Sequence, residues 1–230
     1  MKKSNFDIFI PVGGIGRRLG GITINTPKPL IKINKEEFII TVIKSLIKTK
    51  IKNVNLLTSY KDQKFNFLIK KFEKKKIKIK LIKDNKRMGT FNCLNKCKHN
   101  INHDFIYSNA DEILNINIKR LITIFYKNNL DVLQLIFNGE KEGLSLDSKY
   151  IINKKKFQTG KKYIEGGLKI LNKKIFNKLK IKKFKKIEDC LLFNRDSINL
   201  KYYIVDEKPY SIDTWKKIKR TKKFLMKTKF

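Results

Sequence analysis

A chain of 230 residues with 55 lysines and arginines against 20 aspartates and glutamates carries a formal charge of +35. That length suits one α/β domain and leaves no room for a large appended one. A content of 41% hydrophobic residues excludes a disordered chain, and no apolar run approaches the roughly 20 residues that cross a bilayer, so no membrane insertion is expected.

The N-terminus enters a strand without a signal peptide's apolar region and cleavage site, so the expected compartment is the cytoplasm. Three cysteines, Cys93, Cys97 and Cys190, make no even disulfide framework and no zinc quartet; they read as core thiols. The charge comes almost entirely from lysine, with six arginines. Lysine, isoleucine and asparagine rise together when coding DNA is rich in A and T, and here the lysines are spread along the chain rather than gathered in an arm. No specific nucleic-acid partner is expected, only sequence-blind adhesion at low salt.

In chain order, the first strand is expected at Phe6–Val12. It runs into a loop with Gly13, Gly14, Gly16, Gly20 and Gly21, with Arg17 and Arg18 after the third glycine and Lys28 held between Pro27 and Pro29. Glycine lets backbone N–H groups turn toward an anion and approach it closely, and Arg18 and Lys28 add full positive charge. Donors and cations at the carboxyl end of a strand suit a nucleoside triphosphate. The spacing is neither the dinucleotide fingerprint, whose third glycine position is Leu19, nor a P-loop, which needs Gly-Lys-Ser/Thr.

A helix is expected at Glu36–Thr49, where Phe38, Ile39, Val42, Ile43, Leu46 and Ile47 keep the amphipathic rhythm. Strand Val54–Thr58, helix Gln63–Lys74, strand Ile77–Ile82, helix Thr90–Lys98 and strand Phe105–Ser108 follow. That strand delivers Asn109-Ala110-Asp111, an aspartate suited to a hard cation such as Mg²⁺ opposite a triphosphate loop. Glu112 is expected to face solvent, and His99 and His103 to be surface or cap residues. Helix Ile118–Lys127 and strand Asp131–Phe137 complete an alternation that implies parallel pairing in a doubly wound sheet.

Beyond about residue 140 strands are expected at Tyr150–Gln158 and Tyr163–Leu171. Helices at Lys173–Leu179 and Ile187–Phe193, a strand at Leu200–Val205 and a final helix from Trp215 come after. The chain divides at about 1–137 and about 138–230 within one Rossmann-like, doubly wound mixed sheet. Asp213 stands before the last helix, where the residues alone offer an N-cap.

The loop and Pro27-Lys28-Pro29-Leu30 resemble the G-G-x-G-T/S-R-L…P-K-P-L motif of the sugar-1-phosphate nucleotidyltransferases, with Arg17 in place of the family's small hydroxyl residue. Asn109-Ala110-Asp111 resembles its N-G/A-D element, Met88-Gly89-Thr90 its L-G-T, Glu165-Gly166-Gly167-Leu168 its N-G/A-G-I/V strand, and Asp213 the aspartate of D-I-G-T. The resemblance implies that a sugar phosphate oxygen attacks the α-phosphorus of a nucleoside triphosphate and expels pyrophosphate, as in the small heptose or mannose 1-phosphate guanylyltransferases. Val12, Gly13, Gly14, Gly16, Arg17, Arg18, Lys28, Gly89, Thr90 and Asn109 would bind nucleotide. Arg18, Lys28 and Asp111 would be catalytic. Asp111 and Asp213 would hold Mg²⁺, with Ser211 or Asp206 as other candidates for the second ligand.

By the same resemblance the fold is GT-A-like, residues about 1–137 are the nucleotide-binding half and about 138–230 the sugar-binding half, in which Glu165, Gly167 and Lys162 would meet the sugar. Phe91 and Asn92 replace small residues and are expected to crowd the pocket. Lys161 or Lys162 stands in for a missing F-x-E-K. The rivals are a phosphocholine-type cytidylyltransferase of the same fold, favoured by Asp213-Thr214, a non-catalytic relative, and a basic nucleic-acid-binding protein.

Overall fold

A computed structural model describes residues 6–14, 16–47, 51, 53–59, 61–83, 89–139, 143–181 and 184–228. In chain order the elements are β1 Asp7–Pro11, the single turn α1 Ile22–Asn25, the short ladder of β2 Lys32–Ile33 with β3 Glu36–Glu37, and α2 Phe38–Leu46. There follow β4 Asn53–Thr58, α3 Phe67–Glu73, β5 Lys78–Lys83, α4 Thr90–Lys96, β6 Phe105–Ser108, β7 Glu112–Ile113, α5 Ile118–Lys127 and β8 Val132–Asn138. The rest comprises β9 Leu144–Ser145, β10 Lys162–Leu171, α6 Ile187–Phe193, β11 Leu200–Val205, β12 Tyr210–Ser211 and α7 Trp215–Lys227.

Two compact units interleave along the chain. The first, here the glycine-loop unit, is made of Asn5–Arg87, Ser108–Ile116 and Pro209–Phe230. Its strands run β1-β4-β5, all parallel, with Ile8 opposite Val54 and Val54 opposite Ile79. Parallel strands covered by helices are apolar on both faces. Ile8, Ile10, Val54 and Leu56 are accordingly fully buried, as are Ile39 and Ile43 of α2.

The second, the central unit, is made chiefly of Met88–Tyr107 and Asn117–Lys208. Its strand order is β11-β8-β10-β6, with β9 beside β10. β11 is parallel to β8, and β10 antiparallel to it. On α5 the buried positions Ile118, Leu121 and Phe125 fall at helical spacing, and its N-cap Asn117 accepts from the Arg120 N–H at 3.1 Å.

Several sequence expectations are corrected. Tyr150–Gln158 is not a strand: two tight turns, Ser148–Tyr150 and Lys154–Lys156, occupy it, and only Ile151 bridges to Tyr202. The Asn153 side chain takes both backbone groups of Ile204, donating to its carbonyl at 2.8 Å and accepting from its N–H at 2.9 Å, where a ladder would have used main chain. Lys173–Leu179 holds one short turn, Ile175–Asn177. There the Lys173 and Lys174 N–H groups are claimed by the side chains of Asp104 and Asn172. The helix expected from Glu36 starts at Phe38, because Glu36 and Glu37 pair with Ile33 and Lys32. The helix expected over Gln63–Lys74 divides into a tight turn, Asp62–Phe65, and α3. Glu112 is half-buried in β7 rather than out in solvent.

Candidate functional site

The glycine loop leaves β1 with Val12 buried and its N–H bonded to the Leu57 carbonyl at 2.9 Å. A Cβ on Gly13 would stand 2.2 Å from the Ser59 hydroxyl, and one on Gly16 would stand 2.9 Å from Cβ of Lys28. Gly16 also has φ +69°, a left-handed conformation that side chains resist. The loop is therefore glycine because its backbone passes close under Lys28. Arg18 is exposed in a tight turn, Arg17–Leu19, and Gly14 is exposed beside it. Only the backbone of Arg17 belongs to the described residues.

Thr23, which sequence reasoning passed over, ties the loop together. Its hydroxyl is within 3.1 Å of both the Gly16 and the Gly20 carbonyls while the residue is buried. A threonine two residues after Gly20-Gly21 was the available signal.

Pro27-Lys28-Pro29-Leu30 makes a tight turn in which Leu30 N–H donates to the Pro27 carbonyl at 2.8 Å. Pro29 and Leu30 are buried and anchor the turn. This presents Lys28, whose side chain is 12% exposed, to two carboxylates. Its ammonium donates to Oδ2 of Asp111 at 2.5 Å and to Oδ1 of Asp213. Burial lowers the Lys28 pKa, but Asp111 and Asp213 outweigh it and hold the amine protonated above its ordinary range. Burial likewise raises that of Asp213, yet hydrogen bonds from Lys28 and Lys217 drive it well below the carboxylate range.

The two aspartates meet because β7 and β12 pair, with Ser211 opposite Glu112 and the Ile212 N–H on the Asp111 carbonyl at 3.0 Å. Ser211 is buried and donates to Oδ2 of Asp213 at 3.2 Å. Asp213, not Ser211, is thus the residue facing Lys28. Nor is Asp213 the helix cap: Thr214 caps α7, accepting from the Lys217 N–H at 3.3 Å. Asp206 is instead bonded to Lys156. Lys217 Nζ reaches Asp213 at 2.9 Å, so two ammonium groups balance two carboxylates.

In the central unit, Gly89 has φ +91° and comes so close to Lys185 that a Cβ would lie 2.5 Å from its carbonyl oxygen. Thr90 is the first residue of α4 and not its cap, a position held by Gly89; Met88 lies outside the described residues. Phe91 does not crowd a pocket. It is fully buried against Phe184, ring centroids 6.1 Å apart, and Asn92 donates to the Phe184 carbonyl at 3.0 Å.

Glu165 is half-buried and accepts from Gln134 Nε2 at 2.8 Å. Gly167 is buried in β10, and Lys162 is exposed, donating to the Ser145 hydroxyl at 2.6 Å. Asn109 is half-buried between β6 and Asp111. His99 is exposed and the three cysteines are buried. Among the described residues no three acidic, histidine or cysteine side chains converge as a metal cage. The donor set of Asp111 and Asp213 still fits a hard divalent ion that completes its shell with water and phosphate oxygens. Both carboxylates already share one cation, the Lys28 ammonium.

A glycine loop beside a parallel sheet, with a lysine against paired strand-end aspartates, defines a nucleotide-handling transferase of the α/β class. Residues 9–145 match the model of the nucleotidyl transferase family, and the chain belongs to that family. It is 27% identical over 206 residues to the D-glycero-alpha-D-manno-heptose 1-phosphate guanylyltransferase of Campylobacter jejuni, covering 87% of this chain and 90% of that one. The mannose-1-phosphate guanyltransferase of Yarrowia lipolytica is 28% identical over 126 residues, 53% of this chain and 35% of the other.

Among solved structures, HddC from Yersinia pseudotuberculosis, complexed with GMP-PN, superposes with a TM-score of 0.76 at 22% identity, covering 95% of this chain and 99% of that one. The UDP-glucose pyrophosphorylase of Acinetobacter baumanii superposes with a TM-score of 0.76 at 12% identity over 94% and 92%. The fold is the GT-A-like, parallel-rich mixed sheet of solved nucleotidyltransferases. No helix among the described residues is long and apolar enough to cross a membrane.

Proposed function

We propose that this protein joins a nucleoside triphosphate to a sugar 1-phosphate, releasing pyrophosphate, with GTP and a heptose or mannose 1-phosphate as the favoured pair. The observation that carries the reading is Lys28 gripping Asp111 and Asp213 beside Gly16. The similarity to a heptose 1-phosphate guanylyltransferase over nearly the whole chain supports the choice of substrates.

In-line displacement at phosphorus needs positioning and charge neutralisation more than a protein nucleophile. The backbone at Gly13, Gly14 and Gly16 offers N–H groups to the triphosphate, and exposed Arg18 meets the phosphates that leave. Lys28 is held protonated, so it can exchange a carboxylate for an α-phosphate oxygen without a proton transfer. Asp111 and Asp213 would hold Mg²⁺, which when bound neutralises phosphate charge and polarises phosphorus. The β7–β12 ladder keeps the two carboxylates in register for that role.

The test is pyrophosphate release across four nucleoside triphosphates and a panel of phosphate acceptors with Mg²⁺. Turnover with GTP and a hexose or heptose 1-phosphate is expected. Background release with every pair would leave the chain a non-catalytic relative.

A further inference from the structure

The sugar-facing residues expected from sequence stop at the Glu165 strand, yet the central unit buries a row of polar side chains that this reading does not use. Across three adjacent strands Tyr202 of β11, Gln134 of β8 and Lys169 of β10 stand directly opposite one another. Partners opposite in a ladder project to the same face of a sheet. Gln134 and Lys169 are fully buried. Between Glu165 and Lys169 the register of β10 against β8 shifts: four steps on β10 answer two on β8, from Ile136 to Gln134. That bulge brings Glu165 within reach of Gln134. Gly166 permits it, since a Cβ there would lie 2.6 Å from the Phe137 ring.

Lys169 is committed. It donates to Oε1 of Glu188 on α6 at 2.5 Å and to the Gly166 carbonyl at 3.3 Å, with its nitrogen 5.5 Å from the centroid of the Tyr107 ring. Gln134 is not. Its amide nitrogen serves Glu165, while its Oε1 is buried and has no hydrogen-bond partner among the described residues. A buried acceptor left unpaired is costly, and calls for a donor. Two carboxylates, Glu165 and Glu188, supply further acceptors beside it. The Glu188 side chain keeps 21% exposure, so the row opens to solvent at that end.

We infer that Gln134, Glu165 and Glu188, held in place by Lys169, form an acceptor-rich site that reads hydroxyl donors of a polyhydroxylated acceptor substrate. Two carboxylates against one ammonium give the row net negative charge, so it suits the hydroxyl-bearing ring and repels the phosphate. A trimethylammonium head has no hydrogen to give Gln134 and would be drawn by the net charge of the row alone, so phosphocholine is the competing probe. The inference rests on the proposed transfer reaction and names its substrate class. Lys169 is here a positioning residue, acting through Glu188 and the Gly166 carbonyl.

The test combines isothermal titration of the full chain with steady-state kinetics, using mannose 1-phosphate, its single-deoxy analogues and phosphocholine as probes. Wild type should bind mannose 1-phosphate and lose about tenfold or more on at least one deoxy analogue. Gln134→Met should raise KM for mannose 1-phosphate about tenfold, abolish the penalty for that deoxy analogue and leave the GTP dissociation constant unchanged. Lys169→Met should raise KM for the same sugar phosphate, with Glu188→Gln a milder companion should it fold poorly.

Tighter binding of phosphocholine, absence of sugar-phosphate binding, or a Gln134→Met variant that keeps the wild-type KM and deoxy penalty would overturn the inference. Failure of the transfer reaction itself is read separately, as absent pyrophosphate release with every acceptor.

Discussion

Lys28 donates to Asp111 across 2.5 Å although 83 residues separate them, and the same nitrogen also bonds Asp213, 185 residues away. One ammonium is therefore the common partner of both candidate metal ligands. Replacing it by methionine should cut turnover by about 10²-fold, the loss usual when one charge-stabilising donor is removed. Nucleotide-free protein should meanwhile bind Mn²⁺ more tightly in Lys28→Met than in wild type, read by electron paramagnetic resonance, because the competing cation is gone. Unchanged Mn²⁺ affinity would show that Lys28 does not compete for the carboxylates.

Metal holding and helix capping separate cleanly at the start of α7. Asp111→Asn and Asp213→Asn should each lower turnover per folded molecule by about 10²-fold or more, beside a modest fall in melting temperature from the ion pair lost to Lys28. Thr214→Ala should do the reverse, costing about 0.5–2 kcal/mol of stability through the lost cap with turnover per folded molecule preserved. Full turnover in Asp213→Asn would remove that residue from the site.

Two glycines of one loop should respond differently to the same methyl group. Gly16→Ala meets φ +69° and the Lys28 stem at 2.9 Å. A left-handed alanine costs about 1–2 kcal/mol, and the displaced lysine should cost activity as well. Gly14→Ala finds nothing within 4 Å and should change stability by less than about 0.5 kcal/mol. Equal effects in thermal melts would show that the lysine contact does not decide why Gly16 is glycine.

Burial raises the pKa of Glu165, against the Gln134 hydrogen bond and Lys169, which lower it. Folding thus favours its protonated form. That contribution is complete below the ordinary carboxylate range and is lost as pH climbs through the raised value. Glu165→Gln should therefore melt higher than wild type at neutral pH, with the gap closing near about pH 4. A gap independent of pH would assign the effect to packing instead.

The thiols should be silent in the native protein. All three cysteines are buried, and burial pushes the Cys190 thiol up to about 11 despite the Asn194 hydrogen bond. Thiol titration should find essentially none before denaturant and three after it.

The helical spacing of Ile118, Leu121 and Phe125 and the apolar runs at Leu200–Val205 and Phe105–Ser108 were legible because burial imposes their period locally. Lys28 and Asp111 were legible as chemistry, since Pro-Lys-Pro and a strand-end aspartate are short motifs. What stayed hidden depends on side chains borrowed from far along the chain. Asn153 replaces a ladder at Ile204, Asp104 takes the Lys173 N–H from 69 residues away, and the β7–β12 pairing that selects Asp213 over Ser211 spans about a hundred residues. The row through Gln134 and Lys169 was hidden as well, because a bulge sets its register and lysine at a core position has no periodic signature.

The ladder between Glu112–Ile113 and Tyr210–Ser211 also orders events in time. Chains are made at about 5–20 residues per second from the N-terminus, so Lys28 and Asp111 emerge well before the strand that carries the second carboxylate. Until residues 209–230 arrive, β7 has an open edge and Lys28 a single acidic partner. Long-range closure of this kind is slow relative to local helix formation. A ribosome stalled before Tyr210 would hold a chain with its glycine loop made and its carboxylate pair still incomplete, inert toward nucleotide transfer until the last strand docks.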